Sequence, residues 1–542
     1  MLSKKYLIGA IALLVIVVAL FSGLRMSKAS FDGVIRIGVF APMDPNLPHW
    51  ESGFLPAAEL AAKQINDSGG ILMGGKRYAI VLGYAHEPYD VETNTAWQTI
   101  TKQSIHYLAD PDKFNADIIV GGFRTECTDL AIRELITLNQ TGTKTVPFFI
   151  CGAATNELCY FAHSTNPNYT RYDYVYRVMP TNGTSLIYTV SGTIKGYLLA
   201  DNGILTKLYG KGSGQVVDIA IVMEKLKWTE TMWNLLVENV TTRYGLLGFH
   251  QNLVYSYRLS PDPAPGEIDT VLNDINASGA KLLIHIFSAP VGMEFIKAWG
   301  QKQVHALPVG INVMSQAKYM WYNWTNKDPD AKEAYCEYES HLMAMGTRTP
   351  ITSRLVKFWD DFATFTGGKW PLYTGYGIYD FLMSLNETLP VLNTLDPEVY
   401  HRYVCPLYNA SYYRDAPNGR FMFTPIHDIF SKDFGPLWPA PNYVRSMTVQ
   451  WLDGRLEAVI PTDQTWSKIY CLPPWMYPLI WDITYDGYVG VDDVVGAAEN
   501  FGAEPGTPRW DHRSDVTFDN YVGVDDIVGI AEHFGSEWTP PP

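Results

Sequence analysis

The chain has 542 residues, of which 47% are hydrophobic and 13% aromatic, and a formal net charge of −15. This length exceeds what one hydrophobic core can organise, so we expect about two to four folding units, and the composition excludes a disordered chain. The negative charge argues against a nucleic-acid partner, because phosphates require a basic surface. Thirteen acids, against only Arg509 and Arg513, lie from Asp482 onwards, so the negative charge is concentrated in a tail.

An apolar segment lies close to the N-terminus. Lys4 and Lys5 precede an uncharged stretch from Tyr6 to Leu24, which approaches the ~20 residues that span a bilayer. Cleavable signal peptides usually have a shorter apolar region of about 7–15 residues, so an uncleaved anchor is favoured and a cleaved signal peptide within residues 1–30 stays open. Both predict an extracytoplasmic protein at the cell surface, and the first predicts membrane anchoring.

Six cysteines and nine N-x-S/T sequons fit an exported chain. The even cysteine count allows disulfides of undefined connectivity, and the lack of a C-x-x-C pair argues against a structural zinc site. The sequons begin at Asn66, Asn139, Asn168, Asn182, Asn239, Asn276, Asn323, Asn386 and Asn409. They predict a surface glycoprotein.

Short β-rich segments alternate with amphipathic helices from residue 34 to about 461. VIRIGVF predicts a strand, and FLPAAELAAKQINDSGG predicts a helix with one apolar face. YAIVLGYAHEP, ADIIVGG and VPFFICG predict further strands with helices between them. Continuous apolar strands separated by helices indicate parallel sheets that are covered on both faces.

The alternation restarts after YRVMPTNGT, where VVDIAIVMEK, LVYSYRL, KLLIHIFSA and ALPVGIN predict a second set of strands. GYGIYDFLMSLNETLPVL predicts a long helix, and SMTVQWLDGRLEAVIP predicts a hairpin that turns at Asp453–Gly454. The predicted fold class is therefore α/β, with two doubly wound parallel-sheet lobes joined by a hinge and a ligand cleft between them.

These patterns give a domain division that follows the chain. We expect lobe 1 at residues 34–178, lobe 2 at 179–344, a return to lobe 1 at 345–430 and a return to lobe 2 at 431–470. A Pro- and Trp-rich linker at 471–481, CLPPWMYPLIW, would then hold a small module at 482–536 fairly stiffly.

The order of elements IRIGVFAPM, AAELAAKQINDSGGI, ADIIVGGF, VPFFICGAATNEL and YRVMPTNGTS resembles the leucine/isoleucine/valine-type solute-binding proteins of ABC transporters, which have the type I periplasmic-binding fold. The resemblance implies a clamshell that captures a branched-chain amino acid-like molecule, an amide or a short peptide and delivers it to a permease. A surface receptor or adhesin with the same fold is the alternative. Catalysis is not expected, because no G-x-S-x-G, H-E-x-x-H or G-x-x-x-x-G-K-[ST] pattern is present.

The same resemblance implies a set of ligand-binding residues in the cleft. They are Trp50, Thr125, Ala153, Ala154, Thr155, Trp228, Phe287 and Asn312. Backbone groups and hydroxyls among them would hold charged ends of a ligand, and the aromatic residues would bury its apolar part. Ordinary roles compete: helix packing for Trp228, a helix N-cap for Thr125, and a core position for Phe287, whose register is defined to about one residue.

Asn312 departs from the pattern implied by the resemblance, since amino-acid binders carry an acid there for the ligand's ammonium group. An amide cannot neutralise a buried ammonium, so a neutral or acidic ligand stays open. Glu224 or Glu126 could substitute for the missing acid, and Arg124 could bind a carboxylate.

The tail contains two similar twelve-residue segments, DITYDGYVGVDD at 482–493 and DVTFDNYVGVDD at 515–526. Oxygen ligands at positions 1, 3, 5, 7 and 12 of such a loop favour calcium. The candidate ligands are Asp482, Thr484, Asp486, the Tyr488 carbonyl and Asp493, followed by Asp515, Thr517, Asp519, the Tyr521 carbonyl and Asp526. We therefore expect about two calcium ions in the tail.

Each loop runs into a helix with an apolar stripe, and the two stripes are expected to cover each other. The stripes are Val491, Val494, Val495, Ala498 and Phe501, and Val524, Ile527, Val528, Ala531 and Phe534. A repeated loop and helix of this kind resembles the dockerin type I module, which implies a cohesin-like domain as partner. Val491–Asp492 and Val524–Asp525 depart from the small hydroxyl residues of that family's contact positions.

Overall fold

The computed structural model describes most of the chain. The described ranges are 30–44, 53–162, 170–194, 203–210, 216–238, 251–318, 320–321, 335–343, 347–409, 416–417, 419–429, 444, 446–460 and 470–539. The N-terminal apolar segment and Trp50 lie outside these ranges. Within them, no helix has the length and apolar character needed to cross a membrane.

Lobe 1 is built on a six-stranded sheet of order β2-β3-β1-β4-β5-β6, in which only the β2–β3 pair is antiparallel. Its strands are β1 (Gly33–Ala41), β2 (Ile71–Met73), β3 (Lys76–His86), β4 (Ile118–Gly121), β5 (Phe148–Ile150) and β6 (Val175–Arg177). Its helices are α1 (Phe54–Asp67), α2 (Trp97–Ala109), α3 (Thr125–Gln140) and α4 (Glu157–Tyr160). The strands are almost wholly apolar, as both faces of the sheet are covered.

Lobe 2 follows with a seven-stranded sheet of order β13-β12-β11-β10-β9-β7-β8. Its first strands are β7 (Val217–Glu224), β8 (Gln251–Leu259), β9 (Leu282–Phe287), β10 (Leu307–Asn312) and β11 (Ser340–Met343), all parallel. Its helices are α5 (Gly183–Thr193), α6 (Ile204–Tyr209), α7 (Lys227–Trp233), which continues into a π-helical turn, α8 (Glu267–Ser278) and α9 (Val291–Lys302). The expected α/β class with two mainly parallel sheets is therefore confirmed.

The chain then returns to both lobes. Helices α10 (Ser353–Thr366), α11 (Tyr373–Leu392) and α12 (Pro397–Asn409) cover one face of the lobe 1 sheet. Strands β12 (Met447–Leu452) and β13 (Arg455–Ile460) add an antiparallel edge to lobe 2. The predicted hairpin is confirmed, and its turn places Asp453 (φ 52°) and Gly454 (φ 72°) in the left-handed region that a tight two-residue turn requires.

The tail is part of the lobe 2 core. Residues of the expected linker, such as Leu472 and Tyr477, are buried, and one apolar cluster joins them to lobe 2 side chains. From the tail module itself, this cluster takes Ile483, Tyr485, Val489, Ala497, Val516 and Ile530. The expectation of a module held apart on a stiff linker therefore differs from the structure, in which the linker is a buried layer between lobe 2 and the tail.

Polar contacts reinforce this junction. Asp453, in the β12–β13 turn of lobe 2, accepts hydrogen bonds from Trp510 Nε1 (2.8 Å) and lies 2.9 Å from His512 Nδ1. The other ring nitrogen of His512 lies 3.1 Å from the Tyr338 hydroxyl. Lys207 of α6 donates to the Thr484 carbonyl at 2.9 Å. The module thus lies on lobe 2 through both apolar and polar contacts.

The tail helices α13 (Val491–Glu499) and α14 (Val524–Glu532) pack with the opposite face from the one expected. Val491 and Val524 are 67% and 63% exposed, and Phe501 and Phe534 are also exposed. The buried helix positions are Asp493, Ala497, Asp526 and Ile530. The predicted mutual covering of the stripes is wrong, because lobe 2 and the loop acids take up the buried faces instead.

Five of the six cysteines are buried, and two sequon asparagines make hydrogen bonds within the fold. All six cysteines are free thiols, so the disulfides that the sequence allowed are not formed. The Asn66 side chain exchanges two hydrogen bonds with the Ile80 backbone, and Asn182 caps α5 and donates to Asp428. The buried position of Asn182 is unfavourable for a glycan, whereas Asn276 and Asn386 are exposed.

Candidate functional site

A pocket lies between the lobes, at the carboxyl ends of strands from both sheets. It contains about 500 Å³ of empty space, including space that is open to solvent. Its walls are Phe123, Arg124, Thr125, Gly152, Ala154, Thr181, Leu186, Trp228, Ser288, Ile311, Val313, Gln316, Leu342 and Tyr373. Apart from a few polar groups, the pocket is apolar and aromatic.

The end of β4 positions the cationic side of the pocket. A Cβ on Gly121 would come within 1.9 Å of the Phe40 carbonyl oxygen, and both Gly121 and Gly122 have positive φ. The two glycines therefore let the chain pass close to β1 before α3 begins. Arg124 then occupies the N-cap of α3, and Thr125 is the first residue of the helix.

The Arg124 guanidinium spans the cleft. Its Nε donates to the Tyr89 carbonyl at 2.8 Å, and its Nη1 donates to the Ser288 hydroxyl of lobe 2 at 3.1 Å. The guanidinium carbon lies 4.0 Å from the centre of the Tyr89 ring. Burial alone would lower the pKa of Arg124, but Tyr89 and nearby carboxylates, Glu224 first among them, raise it above its ordinary value.

Two buried glutamates support this region without lining the pocket. Glu87 accepts hydrogen bonds from the backbone N–H groups of Phe123 and Arg124, and burial raises its pKa to about 8 despite those bonds. Glu224 accepts from Trp228 Nε1, the Ser288 hydroxyl and the Ala289 N–H. Arg124, Ser288 and Glu224 consequently form a hydrogen-bonded chain from lobe 1 into lobe 2.

The lobes also touch on either side of the pocket. The Tyr89 hydroxyl donates to the Ser288 carbonyl at 3.0 Å, and the Lys227 N–H donates to Glu126 at 3.2 Å. Within lobe 1, Tyr373, at the start of α11, donates its hydroxyl to the Gly152 carbonyl at 3.3 Å. All wall residues of the pocket are buried except Ala154, which is partly buried.

Several predicted cleft residues lie where the sequence indicated. Thr125, Ala154 and Trp228 line the pocket. Ala153 and Thr155 lie behind the wall: the Ala153 carbonyl accepts from Thr181 at 3.3 Å, and the Thr155 carbonyl accepts from Arg177. Trp50 falls outside the described residues.

Phe287 and Asn312 do not line the pocket. Phe287 is fully buried on the other face of β9, where its ring packs 5.1 Å from that of Phe295. The pocket position belongs to the next residue, Ser288, so the uncertainty of one residue in register was decisive. Likewise Ile311 and Val313 face the pocket while Asn312, between them, points into the lobe 2 core.

Asn312 belongs to a buried polar network centred on Glu339. The Glu339 carboxylate accepts from Asn312 Nδ2 (3.2 Å) and the Ser315 hydroxyl (3.1 Å), and lies 3.1 Å from His285 Nε2 and 3.2 Å from His341 Nδ1. Burial alone would raise the pKa of Glu339, but the two histidines lower it to about 2. This network explains Asn312 as a structural residue of lobe 2.

Sequence reasoning missed most of the pocket wall. Thr181, Gln316 and Tyr373 come from the crossovers and from the returning helix α11, far apart in the chain. Their contacts depend on tertiary structure, and no local motif marks them. Phe123, next to Arg124 in GGFRTECT, could have been identified, since it lies two residues after the end of the buried strand β4.

The two tail loops have the same internal hydrogen bonds. Asp482 accepts from the N–H groups of Asp486 (3.1 Å) and Gly487 (2.7 Å), and Asp493 accepts from that of Gly490 (2.7 Å). Asp515 and Asp526 repeat these roles in the second loop at 2.7–3.0 Å. Gly487 and Asn520, at the turn position of each loop, have φ of 91° and 66°.

The second loop brings three carboxylates together. Oxygens of Asp515, Asp519 and Asp526 lie within 4.8 Å of one another. Burial raises the pKa of Asp515 to about 6, and the neighbouring acids add to this effect. An oxygen-only cluster of this kind fits calcium. The ion would neutralise the charge of the cluster and link the loop to α14 through shared ligands. A second group, Glu337, Asp453 and His512, is held by the hydrogen bonds of the junction with the tail.

A scan against protein-family models found no match for this sequence, and a search of curated proteins found none either. Solved structures with the same fold are numerous, although their sequence identities are low. One is a branched-chain amino acid ABC transporter periplasmic ligand-binding protein from Burkholderia xenovorans, with 16% identity and a TM-score of 0.54 over 82% of this chain and 97% of that one.

Two further structures were determined with bound ligands. A branched-chain amino acid transporter substrate-binding protein from Streptococcus pneumoniae, in complex with isoleucine, has 11% identity and a TM-score of 0.53 over 78% of this chain and 98% of that one. A solute-binding protein of an ABC transporter from R. palustris, in complex with benzoate, has 12% identity and a TM-score of 0.51 over 79% and 96%. The chain therefore has the fold of the type I periplasmic solute-binding proteins of ABC transporters.

Proposed function

We propose that this chain is an extracytoplasmic solute-binding protein that captures a small organic molecule between its lobes and delivers it to the permease of an ABC transporter. The observation that carries this proposal is the pocket at the carboxyl ends of both sheets, with Arg124 and Thr125 at one end and an apolar remainder. The fold adds support, because proteins that share it hold isoleucine or benzoate.

A thermal-shift screen of the full chain tests ligand capture. The screen should contain amino acids, amides, short peptides and simple carboxylates. We expect at least one class to raise the melting temperature, because a ligand that binds only the folded state stabilises it. If every class leaves the melting temperature unchanged, the proposal of a small-molecule receptor fails.

Uptake then separates transport from sensing or adhesion, which would use the same fold. Cells with and without this chain are supplied with the labelled ligand that the screen identifies. Delivery to a permease predicts that uptake is lost without the chain. Unchanged uptake would instead favour the receptor or adhesin.

We further propose that the tail binds about two calcium ions and is a dockerin-like module with a cohesin-like partner. The support is the repeated loop geometry and an exposed apolar surface on α13, α14 and their loops. This surface consists of Tyr488, Val491, Val495, Phe501, Tyr521, Val524, Val528 and Phe534. We also propose that residues 6–24 anchor the chain to the membrane, which is supported by the sequence alone.

A further inference from the structure

We infer that the cleft ligand is an apolar monocarboxylate without an α-ammonium group, such as an aryl or branched alkyl carboxylate. This inference rests on the proposed function, since it assumes that the pocket between the lobes is the ligand site. It follows from three features of the pocket: a site for one anion, the lack of an acid on its wall, and an apolar body.

The anion site is at the start of α3. Arg124 uses Nε and Nη1 for Tyr89 and Ser288, while Nη2 makes no hydrogen bond to the described residues. The Thr125 side chain is 2% exposed, and its hydroxyl has no hydrogen-bond partner within the described part of the chain. Both groups line the pocket beside the N-terminus of a sixteen-residue helix. A carboxylate would satisfy the guanidinium, the hydroxyl and the helix N-terminus together.

An ammonium group lacks a counter-ion here. No acidic residue is among the described residues that line the pocket. The buried carboxylate of Glu224 in lobe 2 already accepts hydrogen bonds from Trp228, Ser288 and Ala289 and does not line the pocket. An α-amino acid would therefore place its ammonium close to Arg124 with no acid on the pocket wall to contact it, which is unfavourable in a buried site.

The rest of the pocket is built for an apolar group. Trp228, Phe123 and Tyr373 supply aromatic surface, and Leu186, Ile311, Val313 and Leu342 supply aliphatic surface. Gln316 is engaged, since its side-chain oxygen accepts from the Tyr373 N–H at 3.4 Å. One ring or branched alkyl chain attached to the carboxylate matches this division into a polar end and an apolar body.

Matched ligands that differ in one group test the inference by isothermal titration calorimetry on the full chain. The pairs are 4-methylpentanoate with leucine and 3-phenylpropanoate with phenylalanine, and 4-methylpentanamide provides a neutral control. We expect at least one acid to bind roughly tenfold or more tighter than its amino acid and than the amide, because only the acid pairs with Arg124 unopposed. Equal or tighter binding of the amino acid or the amide overturns the inference while leaving solute binding intact. If none of these compounds binds, the inference fails, and the broader screen decides on the proposed function.

Variants locate the effect. Arg124→Gln should weaken the acid roughly 30-fold or more and leave the amide nearly unchanged, and Thr125→Val should weaken the acid by a smaller factor. Arg133→Gln, on the exposed side of the same helix, is the matched control and should bind like the wild type. An acid affinity that survives Arg124→Gln would overturn the inference. The acid-to-amide ratio of the wild type provides the same test if the Arg124 variant fails to fold.

Discussion

In lobe 1, one face of the sheet is covered by α10, α11 and α12, which return to it after most of lobe 2 has been built. Lobe 2 covers the corresponding face with α5, α6, α7 and the tail. The same doubly wound design is therefore completed in two ways. The difference implies that the acidic tail, which has the sequence pattern of an independent module, is a component of lobe 2 stability, while lobe 1 should be indifferent to it.

Removal of the tail should have the largest effect. A chain that ends at Trp481 loses six buried side chains of the lobe 2 core, including Tyr485 and Ile530. At about 1.5–3 kcal/mol each, their loss rivals the ~5–15 kcal/mol that stabilises a domain. We expect hydrogen exchange to show loss of protection in β7, β9 and β10 and retained protection in β1 and β4.

A matched control removes apolar groups from the tail without touching the junction. Serine at Val491, Val495, Val524 and Val528 changes only positions that are 45–67% exposed. This variant should retain protection in both lobes. Full protection of β7 and β9 in the truncated chain would show that the tail is an independent appendage.

Glu339→Gln should produce the next largest effect and should again be confined to lobe 2. The buried carboxylate lies between His285 and His341, so its loss leaves two histidines without their charged partner. Breaking a buried charged network typically costs about 3–5 kcal/mol. Chemical denaturation should show such a decrease, whereas Asp360→Asn, which removes an exposed pair with Arg348, should change stability by less than about 1 kcal/mol.

The difference in stability between the wild type and Glu339→Gln should depend on pH, because the pKa of Glu339 is low. The folded-state pKa of about 2 lies below the ordinary value of 4.5, so the carboxylate contributes stability above about pH 4.5 and loses it as the pH falls towards 2. The gap between wild type and Glu339→Gln should therefore be undiminished from pH 7 to 5 and should shrink below that range. A gap that does not shrink between pH 4.5 and 2 would contradict the low pKa of Glu339.

Calcium removal should have an intermediate effect. If the loops bind calcium, EDTA should lower the melting temperature of the full chain and increase exchange in the tail and lobe 2 but not in lobe 1. If free calcium is a hundredfold above its dissociation constant, its removal should lower the free energy of unfolding by about 2.7 kcal/mol. The double variant Asp486→Asn, Asp519→Asn should abolish the response, because each substitution removes a charged ligand. The loops should persist, since both asparagine side chains can still accept the loop N–H bonds. No shift with EDTA, together with no calcium by native mass spectrometry, would exclude the proposed ions.

The sequence was informative where function follows local pattern and less so where it follows tertiary contact. Strand and helix periodicity predicted both sheets, and the sequence motifs around Thr125 and Trp228 identified two residues of the pocket wall. Phe287 and Asn312 were assigned to the site because a strand presents alternate residues to opposite faces, and a shift of one residue exchanges core for cleft. Tyr373 reaches the pocket from a helix that returns across more than two hundred residues, which no local signal reveals.

The buried acid of lobe 1, Glu87, should affect stability with the opposite sign from that of Glu339. Burial raises its pKa to about 8, so the folded protein retains a proton that the unfolded chain has released above about pH 4.5. Wild-type stability therefore falls as the pH rises from about 4.5 to 8, by at most about 1.4 kcal/mol per pH unit. Glu87→Gln should avoid this loss, because its carboxamide oxygen can still accept from the Phe123 and Arg124 N–H groups. Denaturation curves should show similar stability of the two proteins at pH 5 and a variant more stable by up to about 4 kcal/mol at pH 8. A constant difference across this range would mean that Glu87 is ionised in the folded protein, and the two lobes would then hold their buried acids in the same charge state.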